Sequence, residues 1–337
     1  MRYRLFGRTG LRVSELSLGA MTMGSDWGWG DPRDTSRQIL DAYADAGGNF
    51  VDTANAYTGG ESETILGELL EGRRDSFVLA TKYTLAIREG DVNAAGNHRK
   101  NLMQSVEASL RRLRTDYIDV MWVHASDTFT PVEEVMRALD DLVRAGKVLY
   151  IGVSDWPAWE IAQANTLAEL KGWTCFAGSQ LKYNLLERTP ERELLPQASA
   201  FDLAVLAWGP LARGRLGGKQ RTGSGADSAE DEIITAVEEI AEQGGWSPAQ
   251  VSLAWLRAQP GNIIPIIGVS KPGQLADNLG VVDVELGADA VARLDEVSAV
   301  PLGFPHDWLR QPGIKEAVYV VDDRWADIED RRRHTRR

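Results

Sequence analysis

Eight short apolar runs, with a longer amphipathic stretch between each and the next, constrain this chain more than any other feature. The runs cover 16–19, 49–52, 77–82, 118–124, 148–153, 178–181, 203–208 and 263–267. Most are continuous rather than alternating, the pattern of parallel strands buried on both faces. The segments between them, at 34–46, 61–70, 99–113, 131–145, 156–171, 191–201 and 248–259, carry helical spacing. In 99–113, for example, Leu102, Val106, Leu110 and Leu113 share one face while Lys and Arg occupy the other. Strand–helix alternation repeated in this way predicts an α/β fold, a (β/α)8 barrel, for which about 250 residues are typical.

The residues beyond that length have assignable places. Residues 1–15 read as a β-hairpin turning around Gly7 and Gly10, set before the barrel. Residues 213–231, Gly/Ser-rich and polar, read as an insertion after the seventh barrel strand. Residues 301–337 contain several aromatics and end in RRRHTRR, which reads as a solvated terminus. The expected organisation is one barrel domain over 1–310 and a tail over 311–337.

Composition narrows the function classes. A chain of 337 residues that is 43% hydrophobic can bury a large core. A net charge of −12 argues against nucleic acid or an anionic membrane as partner. No apolar run approaches the roughly 18 residues needed to span a bilayer. The N-terminal MRYRLFGRTG lacks the apolar region of a secretory signal. The single Cys175 has no internal disulfide partner, and no Cys/His cluster suggests a metal. The expectation is a cytoplasmic protein whose partner is a small molecule; oligomeric state is not legible.

Barrel chemistry sits at the C-terminal strand ends, so the polar residues there are the ones to weigh. They are Asp52 with Tyr57 in its loop, Lys82, His124, Ser154 with Asp155, Gln180, and the run Trp208-Gly209-Pro210. Taken singly, each has a structural explanation: a capping Asp, an amphipathic loop Tyr, a solvent-reaching Lys, a core His. Taken together, Asp, Tyr, Lys and His come from three successive strand ends facing one mouth. A phenol with pKa near 10 is a poor acid at neutral pH. An adjacent ammonium favours the phenolate and lowers that pKa, and a carboxylate holds the ammonium charged. A neutral histidine beside them can orient a substrate oxygen.

The stretch GGNFVDTANAY at 47–57 matches the pattern G-x-x-x-x-D-T-A-x-x-Y, and four further stretches follow in order: YIDVMWVH, GKVLYIGVS, SQLKYNLLER and IIPIIGVSKPGQLADNL. By these the chain resembles the aldo-keto reductases, NAD(P)H-dependent carbonyl reductases on (β/α)8 barrels, over about residues 1–310. The resemblance implies a catalytic tetrad of Asp52, Tyr57, Lys82 and His124, with Tyr57 as general acid. It also implies an extended nicotinamide cofactor across the barrel mouth. Ser154, Asp155 and Gln180 would bind its carboxamide and Trp208 would stack on its ring. Gly209, Pro210, Leu211 and Gly214 would surround the pyrophosphate. Gly268, Ser270, Lys271, Gln274 and Asn278 would hold the adenosine end. Two positions depart from the family pattern: Asp155 stands where Asn is common, and Trp208 where Tyr is usual.

No G-x-G-x-x-G follows an N-terminal strand, so a Rossmann fold is not expected. Ser270 and Lys271 offer a hydroxyl and a cation to a 2′-phosphate, which favours NADPH (NADP+) over NADH. Met23, Trp27, Trp29, Trp156, Phe304 and Trp308 are candidate walls of a substrate pocket suited to hydrophobic or aromatic carbonyls. The stretch SDWPAWEIAQANTLAE resembles the aryl-alcohol-dehydrogenase-like branch; sugar ketones and pyridoxal-type aldehydes stay open. A nucleotide-sensing regulatory subunit on the same barrel is the alternative, since potassium-channel beta subunits share it. A metal-dependent barrel hydrolase would need several strand-end ligands, and His124 is the one histidine so placed.

Overall fold

The computed structural model describes residues 1–28, 30–218 and 228–319. Two strands, β1 (Tyr3–Leu5) and β2 (Arg12–Ser14), pair antiparallel as the expected hairpin. Eight more run in parallel: β3 (Ser17–Gly19), β4 (Phe50–Asp52), β5 (Val78–Tyr83), β6 (Ile118–Val123), β7 (Val148–Ser154), β8 (Phe176–Lys182), β9 (Ala204–Trp208) and β10 (Ile263–Gly268). They close a barrel in chain order, with β10 returning to pair β3. Strand positions agree with the apolar runs to within one or two residues.

The hairpin seals the N-terminal end of the barrel. Phe6 is fully buried and meets Phe50 and Trp122 edge-on, with ring centroids 5.9 and 6.0 Å away. Gly7 makes this approach possible: its φ is +57°, and a Cβ there would fall 2.2 Å from the Ala177 carbonyl oxygen. Inside the barrel the Trp122 indole fills the space left by two glycines. A Cβ at Gly152 would lie 2.2 Å from Trp122 Cζ3, and one at Gly178 would lie 2.9 Å from Trp122 Cη2. Small residues on β7 and β8 therefore match the one large side chain on β6. Polar side chains are left to the other end.

Around the barrel lie α1 (Arg33–Asp45), α2 (Glu61–Leu69), α3 (Arg99–Leu113), α4 (Val132–Arg144), α5 (Ala158–Lys171) and α6 (Leu194–Ala200). Then follow α7 (Ser228–Gly244), α8 (Pro248–Ala258), α9 (Pro272–Leu279), α10 (Ala288–Val297), α11 (His306–Leu309) and α12 (Pro312–Tyr319). In α4, Val135, Met136, Leu139 and Leu142 turn inward, while Glu133 and Glu134 begin the helix and Arg144 ends it, as its dipole favours.

Five helices, α7, α9, α10, α11 and α12, lie where the sequence reading placed none. α7 starts within 213–231, which was expected to be a polar insertion throughout. Its buried Ile233, Ile234, Val237, Ile240 and Ala241 recur at helical spacing, but the Gly/Ser-rich stretch before them hides its beginning. Residues 212–217 form a tight 3₁₀ turn. Residues 219–227, 320–337 with the basic RRRHTRR, and Trp29 lie outside the described residues. Among the described residues no helix is long and apolar enough to cross a membrane.

Replacing Gly152 with alanine should overpack the barrel. We expect a loss of about 1–3 kcal/mol, read as a lower midpoint in urea unfolding; an unchanged midpoint would mean that Trp122 has room to move.

Candidate active site

The strand ends bring together the four residues singled out from the sequence. Asp52 ends β4 and is 3% exposed; Lys82, on β5, is fully buried. Lys82 Nζ donates to Asp52 Oδ2 at 2.5 Å and to the Thr53 carbonyl at 2.8 Å. The same ammonium lies 4.8 Å from the centroid of the Tyr57 ring. His124 follows β6, its ring edge-to-face with Tyr57 at 5.8 Å. Burial pulls the Lys82 pKa down, but the facing Asp52 carboxylate and then Tyr57 raise it further, so the ammonium stays charged.

The sequence reading expected Lys82 to lower the Tyr57 pKa. The net shift is upward: burial raises it, and the Lys82 charge only opposes that rise. At neutral pH the phenol therefore keeps its proton. For His124, burial and then the Lys82 charge press the pKa down to about 3, and the imidazole is neutral. Its Nδ1 is buried without a hydrogen-bond partner.

Tyr57 is held in place by a turn of uncommon backbone. Thr58, Gly59 and Gly60 follow it with φ of 47°, 63° and 95°. Thr58 is a buried non-glycine in the left-handed region, and its hydroxyl bridges the turn, donating to the Met23 carbonyl at 2.9 Å and accepting from Ser62 N at 3.1 Å. The sequence reading passed over Thr58; the Thr-Gly-Gly after Tyr57 was the available signal.

Gln180 takes a role that the sequence did not disclose. Its Nε2 donates to Asp52 Oδ1 at 2.9 Å. Strands β4 and β8 stand opposite each other in the eight-strand ring, so this bond crosses the barrel. Both Asp52 oxygens are thereby engaged, one by Lys82 and one by Gln180. The Gln180 Oε1 and the second N–H of its Nε2 are not used in this bond.

The profile of the Aldo/keto reductase family matches residues 15–299. This chain belongs to the aldo-keto reductase family. It is 40% identical over 317 residues to a norsolorinic acid reductase of Emericella nidulans, covering 89% of this chain and 82% of that protein. It is 38% identical over 333 residues to an aldo-keto reductase of Aspergillus calidoustus, covering 91% and 84%. With an NADP(+) aryl-alcohol dehydrogenase of Phanerodontia chrysosporium it shares 36% identity over 329 residues, covering 88% and 86%. The chain is thus an oxidoreductase acting on carbonyl or alcohol groups, in a family that uses nicotinamide cofactors.

The other strand ends of this aldo-keto reductase carry the remaining residues singled out from the sequence. Trp208 ends β9 with 36% of its surface exposed, a flat face open at the rim. Its Nε1 donates to Asp155 Oδ1 at 3.0 Å, and Ser154 Oγ lies 3.4 Å from Asp155 Oδ2. Asp155 is exposed at the mouth with a φ of 51°, a region that Asp and Asn tolerate. Desolvation of its carboxylate raises its pKa, against the lowering by these two hydrogen bonds. A Cβ at Gly209 or Gly268 would meet nothing within 4 Å, so the backbone is open to close approach at both positions. Between them Pro210 is buried, Leu211 partly so, and Gly214 has a φ of 90°.

At the far end, Ser270 and Lys271 are exposed just before α9, where the helix dipole is positive. Gln274 Oε1 accepts from Ser270 N at 3.0 Å, and Asn278 is buried. Asp277, the acid close in sequence, accepts from the Ser247 hydroxyl at 2.9 Å.

The candidate pocket walls fare differently. Trp27 lies at the mouth, its ring 6.3 Å from that of Tyr57. Phe304 and Trp308 are exposed and meet each other at 6.2 Å. Their segment is tied to the loop after β8 by His306 Nε2 and Glu193 Oε1, 3.0 Å apart. Trp156 is a correction: it is 3% exposed, packed edge-on to Phe176 in the core around the barrel. Met23 is likewise buried, at 2%, and its backbone carbonyl anchors Thr58. The sequence marked these side chains as apolar near strand ends but could not tell which way each faces.

Removing Lys82 leaves a buried carboxylate unpaired. Lys82→Met should cost about 3–5 kcal/mol, and adding Asp52→Asn should restore part of that stability because the stranded charge goes. Urea unfolding of the two single variants and the double variant tests the pairing. Strictly additive losses would count against it.

Proposed function

We propose that this aldo-keto reductase is an NADPH-dependent carbonyl reductase with Tyr57 as general acid. The observation that carries the reading is the Lys82 ammonium, fully buried, clamped on Asp52 and 4.8 Å from the Tyr57 ring. When bound, the cofactor supplies the hydride. Tyr57 gives its hydroxyl proton to the substrate oxygen, and Lys82 stabilises the phenolate as it forms. Asp52 keeps Lys82 charged, and Gln180 keeps Asp52 aimed. His124, neutral, orients the substrate oxygen without competing as an acid.

Ser154, Asp155 and the free Gln180 Oε1 would hold the carboxamide, with Trp208 against the ring. Gly209, Pro210, Leu211 and Gly214 would pass the pyrophosphate, and Gly268, Ser270, Gln274 and Asn278 would take the adenosine end. Lys271, at the positive end of α9, favours a 2′-phosphate, while Asp277 is turned to Ser247. An aromatic aldehyde or ketone suits the Trp27 wall beside Tyr57. The names of the relatives, norsolorinic acid reductase and aryl-alcohol dehydrogenase, agree with that class.

With a panel of aromatic aldehydes, Tyr57→Phe should lower kcat by about 100-fold or more while NADPH titrations stay close to wild type. Turnover that survives the loss of the phenol would remove Tyr57 from the role of acid. Separately, Lys271→Ala should weaken NADPH by about ten-fold, or 1.4 kcal/mol, and leave NADH binding alone. Equal effects on both cofactors would count against a 2′-phosphate contact.

A further inference from the structure

The two departures from the family pattern touch each other. Asp155 accepts from the Trp208 indole, and its other oxygen lies beside the Ser154 hydroxyl. Both neighbours are neutral, and among the described residues no lysine or arginine forms an ion pair with Asp155. Two ammonium groups of the site are engaged with other carboxylates. Lys82 is bound to Asp52 at 2.5 Å. Lys182, whose Nζ lies 5.9 Å from the Trp208 ring centroid, faces Glu187 at 3.9 Å. Tyr57 and His124 are neutral and Lys82 is paired with Asp52, so Asp155 adds a negative charge without an ion-pair partner; Lys82 acts on it only through space, more weakly than the two hydrogen bonds.

On the proposed reading, the nicotinamide must stand beside the carbon whose oxygen Tyr57 protonates, because reacting atoms meet at about 3–3.5 Å. The open face of Trp208 is the flat surface available to it, and Asp155 is fastened to the edge of that indole. We propose that the Asp155 carboxylate discriminates between the two redox forms of the cofactor, binding the oxidised form more tightly than the reduced form. The reduced nicotinamide is neutral. When it gives a hydride, with its electron pair, to the carbonyl carbon, the ring is oxidised to a cation. The substrate is reduced, and its oxygen takes the proton from Tyr57. A fixed anion next to the ring favours that separation of charge and holds the cationic product. The indole face adds cation–π attraction of the same sign. Asp155 is therefore a determinant of cofactor redox state, and the site is poised for loss of hydride from the cofactor.

The inference rests on the nicotinamide reading, and a binding experiment separates the two. NADP+ and NADPH are titrated into wild type and Asp155→Asn, following quenching of tryptophan fluorescence. Asparagine tolerates the φ of 51° and can still accept from Trp208 Nε1, so the substitution removes charge and keeps shape. The Kd for NADP+ should rise about ten-fold relative to that for NADPH. An unchanged ratio, or equal weakening of both forms, would overturn the inference and leave the reductase reading intact. Wild type that binds neither form would overturn both. Should Asp155→Asn fail to fold, Asp155→Gly suits the same backbone and serves the same comparison.

Discussion

A charged lysine inside a barrel is tolerable only if its charge is answered, and the upper layer of this protein is arranged around that requirement. Lys82 is fully buried. Left alone it would lose its proton; set against Asp52 and the Thr53 carbonyl it keeps it. Asp52 in turn needs its second oxygen satisfied, and Gln180 does this from the opposite side of the barrel. The chain of contacts makes the polar layer a closed network, and such networks specify one geometry better than they add stability.

The lower layers free the upper one to be polar. Phe6 from the hairpin and Trp122 from β6 fill the barrel from below, with Gly152 and Gly178 giving way to the indole. That leaves an apolar floor under Lys82 and Asp52. The low dielectric there strengthens the ion pair and raises the Tyr57 pKa, so one packing arrangement sets both the charge of the lysine and the proton of the phenol.

Opposite the tetrad, the mouth is lined differently. Trp208 and Asp155 form a pair in which the indole N–H donates to the carboxylate and fixes both side chains at the rim. Tyrosine and asparagine at these positions would carry no charge. The pairing thus couples an aromatic face to a carboxylate without an ion-pair partner, beside a Lys82–Asp52 pair whose charges offset each other.

The sequence by itself determined the barrel, because eight buried parallel strands must be continuous apolar runs, and helices packed on them must be apolar on one side. It also marked Asp52, Tyr57, Lys82 and His124, which the barrel brings together, since polar residues at strand ends can be read from where each run stops. It missed α7, whose apolar stripe begins inside a Gly/Ser-rich stretch. It also misplaced Trp156, because an aromatic next to a strand end can turn either to the mouth or to the surrounding core. Only the tertiary structure decided that Gln180 reaches across to Asp52, that burial outweighs Lys82 in setting the Tyr57 proton, and that Asp155 and Trp208 meet. These are contacts between strands far apart in the chain, made when the barrel closes. Spacing along the sequence records which face a residue is on, but not what faces it across the ring.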